Sequence, residues 1–205
     1  MAEEIKTLIE KLREFTTTEL ADGMENPVTM DYQITQRVSD RKIVGEAFTV
    51  KTPKGTGGII PDAILLAKEG DVLVIAGQGF CQGAYWGDYR STCCKMKGLE
   101  GVVIDGAFRD LEGCREIDFP VFAKAITPAS AKKAVEGELN VPVECGGVMV
   151  YPGDLIVADC NGVIVIKPEE AESIMERARK KMEAEEYTIR VMKETGEILP
   201  KIIKK

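Results

Sequence analysis

The chain has no histidine, and none of its apolar runs approaches the roughly 20 residues that cross a bilayer. Without an imidazole, the usual Ser or Cys triads lack their base. A zinc site would have to be built from scattered thiolates, because none of the six cysteines has C-x-x-C spacing. Acidic residues outnumber basic ones, 34 to 27. The formal net charge is -7, so the chain lacks the basic face that a general affinity for nucleic acid or anionic membranes requires. The N-terminal stretch MAEEIKTLIEKLREF has neither the apolar core nor the small-residue cleavage site of a signal peptide. A soluble cytoplasmic protein is expected.

At 205 residues, 44% of them hydrophobic, the chain can bury a core. It carries no internal repeat and no linker. One domain over 1–205 is expected, with 168–205 as a C-terminal helical extension. Ile5, Leu8, Ile9 and Leu12 share a helical face. One of Thr16, Thr17 and Thr18 is placed to cap a second helix running to Met24. Strands are expected at Ala47–Thr52, Val72–Ala76, Val102–Asp105 and Pro120–Ala123, and helices at Ile59–Lys68, from Ala84–Asp88 to Gly98, and over Asp110–Ile117. Gly77–Gly83 reads as a glycine-rich loop. From Val148 the pattern is of close-packed strands, with an Asn161-Gly162 hairpin signal. Pro168 opens a long charged helix whose stop is Gly196.

The most specific feature is a spacing: Asp88, twenty residues, then Arg109-Asp110. The strand Val102–Asp105 runs through a glycine turn into that pair. Such strand ends deliver reactive side chains to the carboxyl edge of a sheet. Upstream, Gly87-Asp88-Tyr89-Arg90 opens a helix, where free N–H groups suit an anion. Arg109 offers a planar fork to a carboxylate or enolate oxygen. Asp110 is a hard oxygen ligand of the kind Mg²⁺ takes, and Asp88 is placed to hold water around such an ion. Plainer readings stay open: a turn, a dipole-favouring Asp88, a surface Arg-Asp pair, or Asp110 as a helix N-cap.

GDYRS, KGLEGVVIDGAFRD, FPVFAKAITPA and NVPVECGGVMVYPGDLIVADCNGVIVI together resemble the 4-hydroxy-4-methyl-2-oxoglutarate aldolase family, which shares its fold with the RraA regulators of ribonuclease E. The resemblance runs from about Thr17 to Pro168. It implies an α/β fold with a layered β/β/α core (swivelling-domain-like), flanking helices and a long C-terminal helix. It also implies a divalent-metal-dependent lyase, a class II aldolase with oxaloacetate decarboxylase activity, in homotrimers or hexamers with sites at subunit interfaces. The backbone of Gly87, Asp88, Tyr89 and Arg90 would hold the carboxylate of a pyruvate-like moiety. Arg109 would contact its carbonyl oxygen, and Asp110 would ligate Mg²⁺ or Mn²⁺. Asp88 would orient water on that ion, which stabilises the pyruvate enolate. A glutamate from the neighbouring subunit, Glu186 in the stretch Glu183–Tyr187, would complete the site. Tyr89 and Arg90 depart from the family, which often has apolar residues there, so Arg90 would add charge near the substrate. The scheme needs no Schiff-base lysine, although Lys95, Lys97 and Lys124 lie close in sequence. The alternative is a non-enzymatic regulator binding a ribonuclease or helicase. A methyltransferase, another name given to such proteins, would need a glycine-rich nucleotide site near the start of the chain, which is absent.

Overall fold

The computed structural model describes residues 2–203 and is a mixed α/β structure. Helices α1 (Ala2–Leu12) and α2 (Thr17–Gly23) come first. Thr16 caps α2 in a reciprocal box with Glu19, one backbone N–H satisfied by each side chain. Strands β1 (Thr35–Val38) and β2 (Ile43–Lys51), helix α3 (Ile60–Leu66) and the long strand β3 (Val72–Trp86) follow. Next come α4 (Asp88–Lys97), β4 (Gly101–Phe108), α5 (Leu111–Ile117) and β5 (Val121–Ile126). The short strands β6 (Glu138–Leu139), β7 (Val143–Cys145) and β8 (Val148–Val150) precede β9 (Leu155–Asp159) and β10 (Gly162–Ile166). A 3₁₀ turn at Pro168–Glu170 leads into α6 (Ala171–Thr195), which Gly196 ends in the left-handed conformation.

The main sheet runs β1-β5-β4-β3-β2-β9-β10, with β6 also paired to β2. Strands β2, β3, β4 and β5 are parallel, and their crossovers are the helices α3, α4 and α5. The sheet curls, so that Val72, Val74, Val103 and Phe122 on one part pack against Ile156, Ala158, Val163 and Val165 on β9 and β10. On the other face Leu73, Ile75, Ile104 and Phe108 pack against the α3–α5 side through Ile60, Ile64, Cys94 and Cys114. A third cluster joins β9 and β10 to α1, α2 and α6 through Leu12, Leu20, Ile164, Ile174 and Ala178. The β/β/α layering and flanking helices are therefore present. Among the described residues no helix is long and apolar enough to cross a membrane.

Several expectations change. Gly77–Gly83 is not a free loop but the middle of β3. Between the Ile75–Ile104 and Phe80–Gly106 pairs, β3 spends four residues against one of β4, and Gln78 and Gly79 take positive φ of 54° and 67°. The Asn-Gly signal marks a real hairpin, but its two-residue loop is Cys160-Asn161, and Gly162 already pairs with Asp159. The long helix starts after a 3₁₀ turn at Pro168, not at Pro168 itself. Strands β1, β6 and β7 carry no pattern that marks them in the sequence; they form because other strands offer edges.

Asp159 ties the hairpin to α2. Its carboxylate accepts from Thr17 N at 2.8 Å, Thr17 Oγ1 at 2.7 Å and Asn161 N at 2.8 Å. Burial alone would raise its pKa, but these hydrogen bonds outweigh burial and hold it below the usual aspartate value. A depressed carboxyl stabilises the fold above its unfolded-state pKa and loses that contribution as pH falls through the folded value. Asp159→Ala is expected to cost about 2 kcal/mol. The measurement is urea denaturation at pH 7, and the gap between the two proteins should narrow below the usual aspartate pKa.

Candidate functional site

Strand β4 is buried along its whole length, and the chain emerges only at Arg109 and Asp110. Pairing with β3, interrupted by the excursion, resumes at Phe80–Gly106 and continues at Ala84–Ala107 and Trp86–Phe108. The Arg109 N–H then donates to Trp86 O at 3.0 Å. The two polar strand ends, Gly87-Asp88 and Arg109-Asp110, are thereby set side by side.

Asp110 stands in the left-handed region at φ 56°, ψ 46°, a conformation aspartate tolerates better than most side chains. It occupies the N-cap position of α5, but its side chain makes no cap bond. The carboxylate turns instead toward Gly87 and Arg109. Arg109 Nε lies 3.1 Å from Asp110 Oδ2. A Cβ at residue 87 would sit 2.5 Å from the same oxygen, so any larger residue would have to push the carboxylate aside. Asp88 opens α4, and its Oδ1 accepts from Tyr89 N at 2.6 Å. Its Oδ2 faces α5, where a Cβ on Gly113 would lie 2.8 Å away.

These groups line a cavity of about 200 Å³. The opposite wall is Gly57, Gly58 and the segment Ser130–Lys133. That segment is fastened by backbone bonds from Ala131 N to Ala84 O at 3.0 Å and from Gly57 N to Lys132 O at 2.9 Å. Ser130 Oγ accepts from Arg109 Nη1 at 2.6 Å, so the Arg109 fork is held between Ser130 and Asp110. Four cationic side chains (Arg90, Arg109, Lys132, Lys133) and two carboxylates (Asp88, Asp110) line the cavity. It is a net positive site in a chain of net charge -7.

The structure thus gathers Gly87, Asp88, Tyr89, Arg90, Arg109 and Asp110 around one cavity. Two details differ from the expected cradle. The Tyr89 N–H is already engaged by Asp88, so a bound carboxylate must displace that contact or use neighbouring N–H groups. The Arg90 side chain does not extend freely toward solvent but turns onto the carbonyls of Tyr85 and Gly57. Tyr89 itself is 79% exposed. Glu186 does not line the cavity of its own chain and is exposed on α6. Sequence reasoning missed Ser130, Lys132 and Lys133. The available signal was a polar loop following the carboxyl end of a strand, which is where such folds place ligands.

The nearby lysines and cysteines have other tasks. Lys95 and Lys97 bond the carbonyls of Ile117 and Leu65. Lys124 lies 2.7 Å from Asp105 Oδ1 and 2.9 Å from Asp31 Oδ2. Burial would lower its pKa, but the two carboxylates reverse this and raise it, so it is a fixed ammonium and no amine nucleophile. Burial pushes the Cys94 thiol up to about 12 and the Cys114 thiol up to about 11, which leaves both protonated. Among the described residues no group of three or more His, Cys, Asp or Glu side chains is placed to hold a metal ion. Any cation at this site would have to rest on Asp110, with Asp88 near it, and keep water for its other positions. That donor set suits Mg²⁺ or Mn²⁺ and not zinc.

Residues 17–165 match the model of the RraA-like family, described as Aldolase/RraA. The chain belongs to this family. A Halalkalibacterium halodurans protein named "Putative 4-hydroxy-4-methyl-2-oxoglutarate aldolase" is 36% identical over 178 residues, which cover 87% of this chain and 85% of that protein. The RNA-processing inhibitor RraA from Thermus thermophilis superposes with a TM-score of 0.69 at 28% identity, covering 75% of this chain and 93% of that one. A Geobacillus kaustophilus structure described as an S-adenosylmethionine:2-dimethylmenaquinone methyltransferase gives a TM-score of 0.70 at 28% identity, covering 75% of this chain and 95% of that one. Members of this family thus carry the names of enzymes and of an inhibitor.

The close approach at Gly87 generates a test. Gly87→Ala is expected to drive the half-exposed Asp110 carboxylate aside at a cost of about 1 kcal/mol. Urea denaturation measures it, and an unchanged midpoint would mean that the contact is not tight.

Proposed function

We propose that this protein is a divalent-metal-dependent carbon-carbon lyase acting on a 2-oxo acid. The substrate has a pyruvate half, as in 4-hydroxy-4-methyl-2-oxoglutarate or oxaloacetate. The observation that carries this reading is the convergence of Arg109, Asp110 and the start of α4 on one small, net positive cavity. A cavity of about 200 Å³ matches a small acid better than an adenosyl cofactor, since drug-sized ligands occupy roughly 300–1,000 Å³. This argues against the methyltransferase reading.

In the proposed arrangement the N–H groups at the start of α4 and the positive end of its dipole hold the substrate carboxylate. Arg109, its fork fixed by Ser130 and Asp110, donates to the 2-oxo oxygen where negative charge develops during cleavage. Asp110 would hold Mg²⁺ or Mn²⁺, and Asp88, anchored through Tyr89 N, would orient water beside it. A cation there supplies Lewis acidity toward that same oxygen. The same charge builds on that oxygen in retro-aldol cleavage and in decarboxylation of oxaloacetate, so one site serves both. Glu186 is exposed on α6 and can reach a site only in an adjacent subunit; a homotrimer or hexamer with interfacial sites would supply it. Cytoplasmic location belongs to the same reading.

The second reading, a non-enzymatic regulator of a ribonuclease or helicase, is favoured by the likeness to the Thermus inhibitor. The two separate cleanly. The lyase reading predicts pyruvate release from 4-hydroxy-4-methyl-2-oxoglutarate or oxaloacetate in a coupled assay, abolished by EDTA and restored by Mg²⁺. Asp110→Ala should lower the rate by a factor of about 100 or more, in line with loss of about 3 kcal/mol of transition-state stabilisation. Full metal-dependent activity in that variant would overturn the role of Asp110. Absence of activity on every 2-oxo acid, together with capture of a ribonuclease, would favour the regulator.

A further inference from the structure

Arg90 sits where three physical preferences oppose it. It is in the first turn of α4, at the helix end where the dipole disfavours a cation. It is partly buried beside a second guanidinium, and both burial and the Arg109 charge push its pKa down. Among the described residues no carboxylate pairs with it; its fork is turned onto two neutral carbonyls, with Nη2 3.1 Å from Gly57 O and Nη1 on Tyr85 O. Neutral carbonyls satisfy donors but do not cancel charge. A positive charge so placed is stabilised by an anion, and the cavity that Arg90 lines is where one can enter.

We infer that the Arg90 side chain is a second anion-recognition residue of this cavity, acting with Arg109 on the carboxylate of the bound acid. The two carbonyl bonds use part of the guanidinium's five donors and fix its plane. Its remaining N–H groups have no partner among the described residues, and the side chain lines the cavity. A carboxylate at the start of α4 then removes all three penalties together: it complements the dipole, separates the two like charges and neutralises the buried cation. Affinity for the acid would exceed what backbone N–H groups and one arginine supply. This inference rests on the lyase reading only for the identity of the anion.

Oxalate, a planar dicarboxylate that mimics the pyruvate enolate, is the probe. Its binding is measured by calorimetry in EDTA, at several salt concentrations, for the wild type, Arg90→Gln and Arg90→Lys. Arg90→Gln is expected to weaken oxalate at least tenfold and to flatten the salt dependence. Arg90→Lys, which keeps the charge but loses the two carbonyl ties that fix the fork, should fall between the wild type and the Gln variant. If the Gln variant does not fold, Arg90→Met, which keeps the apolar stem and loses the charge, decides: a tenfold loss supports the inference and unchanged affinity contradicts it. Equal oxalate affinity in wild type and Gln variant overturns it, leaving Arg90 as a tie between Tyr85 and Gly57. So does a wild type that binds no oxalate. Arg90-dependent binding without pyruvate release from any 2-oxo acid would keep the inference and remove the lyase reading.

Discussion

Everything at the candidate site depends on the resumed pairing of β3 with β4. The two strands run in register from Val72–Gly101 to Ile75–Ile104, part company, touch at Phe80–Gly106, and end paired at Ala84–Ala107 and Trp86–Phe108. A single backbone bond, Arg109 N to Trp86 O, then locks the strand ends together. Trp86 and Phe108 are almost completely buried, so hydrophobic burial holds this last pair where the polar residues begin. The buried segments act as a rigid mount, and the two residues that follow each end, Gly87-Asp88 and Arg109-Asp110, inherit their positions from it.

The local chemistry follows from that mount. Gly87 lets the Asp110 carboxylate lie against the backbone, and the Arg109 guanidinium, not a helix cap, holds that carboxylate. Arg109 is fixed at both ends, by Ser130 and by Asp110, so its fork loses little freedom when a ligand arrives. The Ser130–Lys133 segment is stitched by backbone bonds to Ala84, near the end of β3, and to Gly57, ahead of α3. A small cavity with a positive surplus results, in a chain that is acidic elsewhere.

Much of this was legible in the sequence, for physical reasons. Val102–Ile104 and Val72–Ile75 are short β-branched and aliphatic runs that fit only a strand buried on both faces. Gly98 and Gly196 stop helices because both adopt left-handed φ, of 78° and 73°. The Asp-x20-Arg-Asp spacing was readable because one crossover helix and one strand have nearly fixed lengths. What was not legible depends on contacts distant in sequence. Nothing local makes Gly77–Gly83 part of a strand; its partners on β4 do. Ser130 joins the site through a bond from Arg109, twenty-one residues earlier. Arg90 looks like a solvent-facing helix residue until the carbonyls of Tyr85 and Gly57 are placed beside it.

The central claim is that one cavity holds a cation at Asp110 and a 2-oxo acid at the start of α4. Crystals soaked with Mn²⁺ and pyruvate test it most directly, through an anomalous difference map. The account predicts a manganese peak within coordination distance of the Asp110 carboxylate, with pyruvate between it and the Gly87–Arg90 backbone. A peak at other residues, or pyruvate ordered outside this cavity, would contradict it.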